Sequence, residues 1–147
     1  MKRIARSAIV EHPAPAMYAL VEDVEAYPQF LPWCRTARVR ERTAQRTVAT
    51  LAVGLKGLRY EFTTQNANRP HEAIELQLVE GPFRHFAAHW RFTALGAHAA
   101  RIDFAMEYAF AGALVSRALG PLFETIANTM VDAFKRRADA VYGQAAH

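Results

Sequence analysis

The chain has 147 residues, with 18 Lys and Arg against 14 Asp and Glu for a net charge of +4. One domain spanning 1–147 is therefore expected, and a hydrophobic share of 52% with 22% charged residues excludes intrinsic disorder. A single cysteine, Cys34, excludes an internal disulfide and a zinc cage of several thiolates, and no apolar run approaches the ~18–20 residues of a membrane span.

The basic N-terminus reaches Glu11 before an apolar stretch of signal length forms, so a reducing cytoplasm is the expected location. Residues 2–11 read as a first strand, stopped by Pro13 and Pro15. Met17, Leu20, Val21 and Val24 then recur at helical spacing and predict a short helix over 14–23, with a second helical turn over 25–30. An apolar loop follows, Phe30-Leu31-Pro32-Trp33-Cys34.

From about residue 35 the period becomes two, and six strands follow. Ala37 and Val39 oppose Arg38, Arg40 and Arg42; Leu51, Val53 and Leu55 share a face; so do Leu58, Tyr60 and Phe62. Asn66, Asn68 and Pro70 read as a turn. Ile74, Leu76 and Leu78 alternate next, and Gly81-Pro82 marks another turn. Phe86, Ala88, Trp90 and Phe92 alternate with His85, His89 and Arg91, and Ile102, Phe104, Met106, Tyr108 and Phe110 form the last run. Alternation of this kind belongs to an antiparallel sheet with one covered face. The chain closes on a helix over about 113–142, with Leu119, Leu122, Phe123, Ile126, Met130 and Phe134 on one stripe. Gly120-Pro121 predicts a kink or a two-part helix there.

The order β-α-α-β6-α predicts an α+β fold in which a curved seven-stranded antiparallel sheet buries the apolar stripe of the long C-terminal helix. One helix ~10–12 Å across cannot fill a wide concave sheet. The large inner side chains either fill the remaining space as core or line a hollow, and composition does not separate the two. The aromatic loop and the Gly120-Pro121 break point to an opening with two lips.

The inner strand faces carry almost no titratable groups beyond Tyr60 and Tyr108, so no catalytic residue is assigned. Asp23 reads as a helix cap. His85 and His89 lie on one strand face but ~13 Å apart, too far to share an ion, so no metal site is expected. The seven glycines form no phosphate loop. Arg38, Arg40 and Arg42, with Arg46 after the turn, form a basic face suited to RNA or another anionic surface; no DNA partner is expected. Lys135, Arg136 and Arg137 suit the negative end of the helix dipole.

Three strings carry a resemblance. Leu20-Val21-Glu22-Asp23-Val24-Glu25-Ala26-Tyr27-Pro28-Gln29-Phe30-Leu31-Pro32-Trp33-Cys34 is the most specific. Val79-Glu80-Gly81-Pro82-Phe83-Arg84-His85-Phe86 with Trp90-Arg91-Phe92, and Met130-Val131-Asp132-Ala133-Phe134-Lys135-Arg136-Arg137-Ala138, support it. Over residues 1–143 the chain resembles the coenzyme Q-binding branch of the START-like superfamily, which includes the bacterial ribosome-association toxin family. The resemblance implies a helix-grip fold and a non-enzymatic domain that binds ubiquinone or a similar lipid and supports respiration, with no cofactor required. The expected lining is Phe30, Leu31 and Trp33 from the loop, Leu58, Tyr60, Phe62, Leu76, Phe86, Trp90, Phe104, Met106 and Tyr108 from the sheet, and Phe123, Ile126 and Met130 from the helix. The alternative it implies is a toxin-like regulator that binds the large ribosomal subunit and blocks subunit association. Polyketide cyclase or dehydratase chemistry rests on fold analogy. A transient contact with a membrane surface, peripheral at the inner membrane, completes the expectations.

Overall fold

The computed structural model describes residues 1–55 and 57–143. Strand β1 (Lys2–Val10) leads into helix α1 (Ala14–Glu22) and a 3-10 helix over Val24–Gln29. Six strands follow, β2 (Cys34–Arg42), β3 (Arg46–Val53), β4 (Tyr60–Arg69), β5 (Ala73–Glu80), β6 (Phe83–Ala94) and β7 (Ala100–Phe110), and the chain ends on helix α2 (Ala113–Tyr142).

All seven strands are antiparallel in one sheet of order β1-β7-β6-β5-β4-β3-β2. Every consecutive pair from β2 to β7 is a neighbour, and only β1 joins at a distance, against β7. Register breaks at Cys34/Thr36, Val39/Glu41, Thr63/Thr64 and Phe83/His85 interrupt the ladders. Each break bends and twists its strand, which is how a sheet becomes a bowl.

Helix α2 buries Leu119, Leu122, Phe123, Ile126, Ala127, Val131, Phe134 and Ala138 in that bowl, a stripe of three- and four-residue steps. It is one uninterrupted helix, so of the kink or two-part helix expected at Gly120-Pro121 the two-part form is excluded. Pro121 and Arg117, whose carbonyl the proline leaves without its helical donor, are both exposed, so water can take the place of the missing N–H. Helix α1 begins with Pro15 in its first turn and buries Ala14, Met17, Tyr18 and Val21; Tyr18 meets Phe92 edge-on at 5.7 Å. Asp23 joins α1 to the 3-10 helix but caps neither with its side chain, contrary to its expected role.

Three further expectations change. Leu58 lies outside the sheet, because β4 starts at Tyr60 and the β3–β4 connection leaves Leu58 exposed. Asn66 and Asn68 are strand residues, not turn residues; β4 runs to Arg69 and the turn comes at 70–72. Arg42 does not share a face with Arg38 and Arg40, because the register break at Val39/Glu41 rotates it to the inner side opposite Thr47.

Candidate functional site

The concave face has two chemically distinct halves. Toward the start of α2, Phe62, Phe83, Phe86, Tyr108, Phe110 and Phe123 pack ring against ring at centroid distances of 5.1–6.4 Å. Phe83 is central here, and periodicity missed it. A strict alternation would put Phe83 and Phe86 on opposite faces, whereas the break at Phe83/His85 turns both inward. Burial pushes the Tyr108 phenol above its ordinary pKa, so it is a neutral hydrogen-bonding group near neutrality.

Of the expected lining, Leu31, Trp33, Phe62, Phe86, Trp90, Phe104, Met106, Tyr108, Phe123 and Ile126 are buried on this inner side; Phe30, Tyr60, Leu76 and Met130 are partly buried. The loop expected to form an open lip is folded shut. Phe30 and Tyr27 meet Phe134 of α2 edge-on at 5.1 and 5.4 Å, and Trp90 meets the same ring at 5.2 Å. The Tyr27 hydroxyl donates to the Val21 carbonyl, and Arg137 stacks on Phe30 at 5.0 Å while its Nη2 donates to Gln29 Oε1. The Trp33 carbonyl accepts from the Gly54 amide, which ties this loop to the end of β3. Cys34 beside it is buried, and burial pushes its thiol up to about 11, the behaviour of a packing residue rather than a nucleophile.

The other half of the concave face is polar. Thr47 of β3 and Thr64, Asn66 and Asn68 of β4 are all buried there. Thr64 Oγ1 donates to Asn66 Oδ1 at 2.9 Å, and Asn68 Nδ2 donates to Thr47 Oγ1 at 2.9 Å. Read as turn residues, these asparagines gave no hint of a buried role. The alternation that would have revealed it, Phe62-x-Thr64-x-Asn66-x-Asn68, was hidden by their polar character.

Among the described residues no helix covers the convex face. Around β1, β5, β6 and β7, Ala5, Ala87 and Ala105 floor a depression of about 520 Å³. Beside it Glu107 bonds both Arg3 and His85 at 3.2 Å, and these partners, the His85 hydrogen bond first, hold its carboxyl below the usual range. Among the described residues no three His, Cys, Asp or Glu side chains gather into a metal cluster. Around β2–β4 the face is basic. Arg38 and Arg40 are exposed, and among the described residues neither has a salt-bridge partner. Arg38 sits opposite Thr50, which in turn pairs with Thr63 through a 2.7 Å hydroxyl–hydroxyl bond, so the arginines stand beside a floor of short side chains. Arg46 is shared between Glu41 at 3.4 Å and Gln65 at 3.1 Å. Arg42 is consumed on the inner side by Glu22 at 2.8 Å and Glu25 at 2.9 Å. The expected four-arginine surface thus reduces to Arg38 and Arg40, with Arg46 partly neutralised. No helix of the described residues is long and apolar enough to cross a membrane.

Comparison with known proteins agrees with this architecture. The sequence model described as polyketide cyclase / dehydrase and lipid transport matches residues 10–135. The chain is 45% identical over 140 residues to the ribosome association toxin RatA of Pseudomonas aeruginosa, covering 95% of this chain and 97% of that protein. It is 28% identical over 149 residues to the mitochondrial coenzyme Q-binding protein COQ10 homolog B of Xenopus laevis, covering 97% of this chain and 61% of that protein. The crystal structure of the Zhui aromatase/cyclase from a Streptomyces species superposes with a TM-score of 0.83 over 98% of this chain and 99% of that one; at 17% identity it shows the shared helix-grip fold alone. Strand order, gripped helix and sequence together place the chain in the polyketide cyclase/dehydrase and lipid transport family of the START-like superfamily.

Proposed function

We propose that this chain is a ribosome-associating protein of the toxin type, which docks on the large subunit through the convex face of β2–β4 and hinders subunit joining. The observation that carries this reading is its end-to-end likeness to a protein named for ribosome association, 45% identical with 97% of that protein covered. The surface supports it physically. Arg38 and Arg40 have no ion-pair partner among the described residues, and a guanidinium not already paired can contact phosphate without breaking a salt bridge. The test is co-sedimentation of the purified protein with isolated large subunits across a salt series. Binding should weaken linearly in log–log form with salt, and Arg38→Glu with Arg40→Glu should reduce it at least tenfold without lowering the melting temperature. Binding that ignores both salt and the double substitution overturns the docking surface, and absence from the subunit fraction at low salt overturns the function.

A second reading is favoured by the concave face: non-enzymatic binding of a quinone or similar lipid. An aromatic half beside a polar half suits a ligand with a greasy tail and a small polar head. The polar half is built of hydroxyls and amides, Thr47, Thr64, Asn66 and Asn68, groups that hold a head group by hydrogen bonds. The two roles use opposite faces of one sheet and can coexist. Solvent extraction of protein purified from its own cells, followed by mass spectrometry, checks this reading; an extract free of lipid and quinone, with none loading afterwards, overturns it.

A further inference from the structure

Strand β2 holds Arg35, Arg38, Arg40 and Arg42 within nine residues and forms one outer edge of the sheet. Its two register breaks sort these arginines. Between Cys34, opposite Val53, and Thr36, opposite Ala52, the extra residue is Arg35. Between Val39, opposite Ala49, and Glu41, opposite Val48, it is Arg40. Each bulge thus inserts an arginine that no β3 residue opposes. Arg38 keeps its place in the ladder opposite Thr50, and Arg42 turns inward.

The neighbouring carboxylates are engaged elsewhere. Glu22 and Glu25 hold Arg42 at 2.8 and 2.9 Å, Glu41 holds Arg46 at 3.4 Å, and Glu61 holds Arg59 at 4.0 Å. Arg35, Arg38 and Arg40 are all exposed, and among the described residues none of them has a salt-bridge partner. They lie within about 17 Å of strand, at ~3.3 Å per residue.

What the row can hold follows from what β2 and β3 lack. Neither strand contains an aromatic residue, so the splayed bases of a single-stranded nucleic acid find no ring to stack on. Neither carries an exposed large apolar side chain, so there is nothing to insert into a lipid layer and no apolar centre for a protein interface. The three guanidinium groups match phosphate oxygens two at a time. A double-helical RNA, recognised by its shape and its phosphates, asks for just such groups and for no base reader.

We infer that Arg35, Arg38 and Arg40 grip the phosphate backbone of double-helical RNA on the large subunit, without reading its sequence. This inference rests on the docking reading above and deepens it. It names the partner as an RNA duplex and adds Arg35 to the contact.

The experiment sediments the full chain with large subunits over a salt series. In parallel it titrates the chain at low salt with a fully paired RNA hairpin, a single-stranded oligouridylate of equal length, and vesicles of phosphatidylglycerol. The hairpin is expected to bind at least tenfold more tightly than the single strand, and the vesicles not at all. Arg35→Gln, Arg38→Gln and Arg40→Gln should each weaken subunit binding and lower its log–log salt slope by about one. Arg101→Gln, which removes an arginine already paired with Asp103, should leave the slope unchanged. All three test positions are exposed, so one variant that fails to fold leaves two to decide the matter. A slope that survives these substitutions, or falls equally with Arg101→Gln, overturns the inference and leaves the docking reading standing. So does a hairpin that fails to bind or binds no better than the single strand or the vesicles. If the unaltered chain does not sediment with the subunits at low salt, both readings fall.

Discussion

His12 Nε2 donates to Asp139 Oδ1 at 2.8 Å, fastening the end of β1 to the last turns of α2. His12 is 4% exposed, and the Tyr142 ring lies 5.8 Å from it while the Tyr142 hydroxyl donates to the Ala16 carbonyl. Truncating one partner leaves the other without its hydrogen bond. Asp139→Ala is expected to lower unfolding free energy by about 1–3 kcal/mol. At ~2–4 °C per kcal/mol for a chain of this size, a melting scan resolves it. A melting point within 1 °C of the parent would show that the clasp contributes nothing.

Arg42 separates structure from recognition. Its two carboxylate partners, Glu22 and Glu25, are partly exposed, so the pairs are screened and Arg42→Ala should cost only about 1 kcal/mol of stability. Ribosomal co-sedimentation should be unchanged by it, in contrast to Arg38 and Arg40. A loss of association with Arg42→Ala at full stability would show that the inner arginine, not the convex pair, makes the contact.

Alkaline conditions should weaken the fold from one identifiable spot. Burial raises the Cys34 thiol from its ordinary value to about 11 and raises the Tyr27 phenol as well. The unfolded chain therefore loses the Cys34 proton near its ordinary pKa while the folded chain still holds it. Stability is full below that point, falls as pH rises toward 11, and levels off for this group above it. Denaturant midpoints between pH 8 and 11 should decline, and Cys34→Ala should flatten the decline. An unchanged slope in that variant refutes the assignment. The same burial predicts slow reaction of the native thiol with a disulfide reagent at pH 8 and fast reaction after denaturation.

Gly54 tolerates no side chain. A β-carbon there would fall 1.7 Å from the Leu58 carbonyl oxygen, a backbone atom that cannot swing aside as a side chain would. Gly54→Ala must therefore reshape the β3–β4 connection and strain the amide bond that Gly54 donates to Trp33. A destabilisation of about 1–3 kcal/mol is expected, together with a shift in Trp33 fluorescence. Unchanged stability and emission would show that the connection adapts without effort.

The periodic parts of the sequence read truly. Strand alternation from Phe86 to Phe92 and from Ile102 to Phe110, and the helical stripe from Leu119 to Phe134, gave the sheet, the helix and their contact. What could not be read depended on ladder irregularities. The break at Val39/Glu41 turned Arg42 inward, and the one at Phe83/His85 brought Phe83 into the aromatic cluster; neither leaves a mark in the one-letter string. Asn66 and Asn68 carried turn chemistry in their side chains, and only pairing with Thr47 and Ile74 reveals that their backbone is strand. The apolar character of the segment from Tyr27 to Trp33 is plain in the sequence, but what it covers, Phe134, lies more than a hundred residues away.

The position of β1 sets an order of events during synthesis. Its ladder is made with β7 alone, Lys2 opposite Tyr108 and Val10 opposite Ala100. The first strand to emerge thus waits for the last before it has a mate, while β2 through β7 can zip hairpin by hairpin as each arrives. Local pairings form quickly and distant ones slowly, so closure of β1 should be the late step of folding, with its unpaired edge open to misassociation until then.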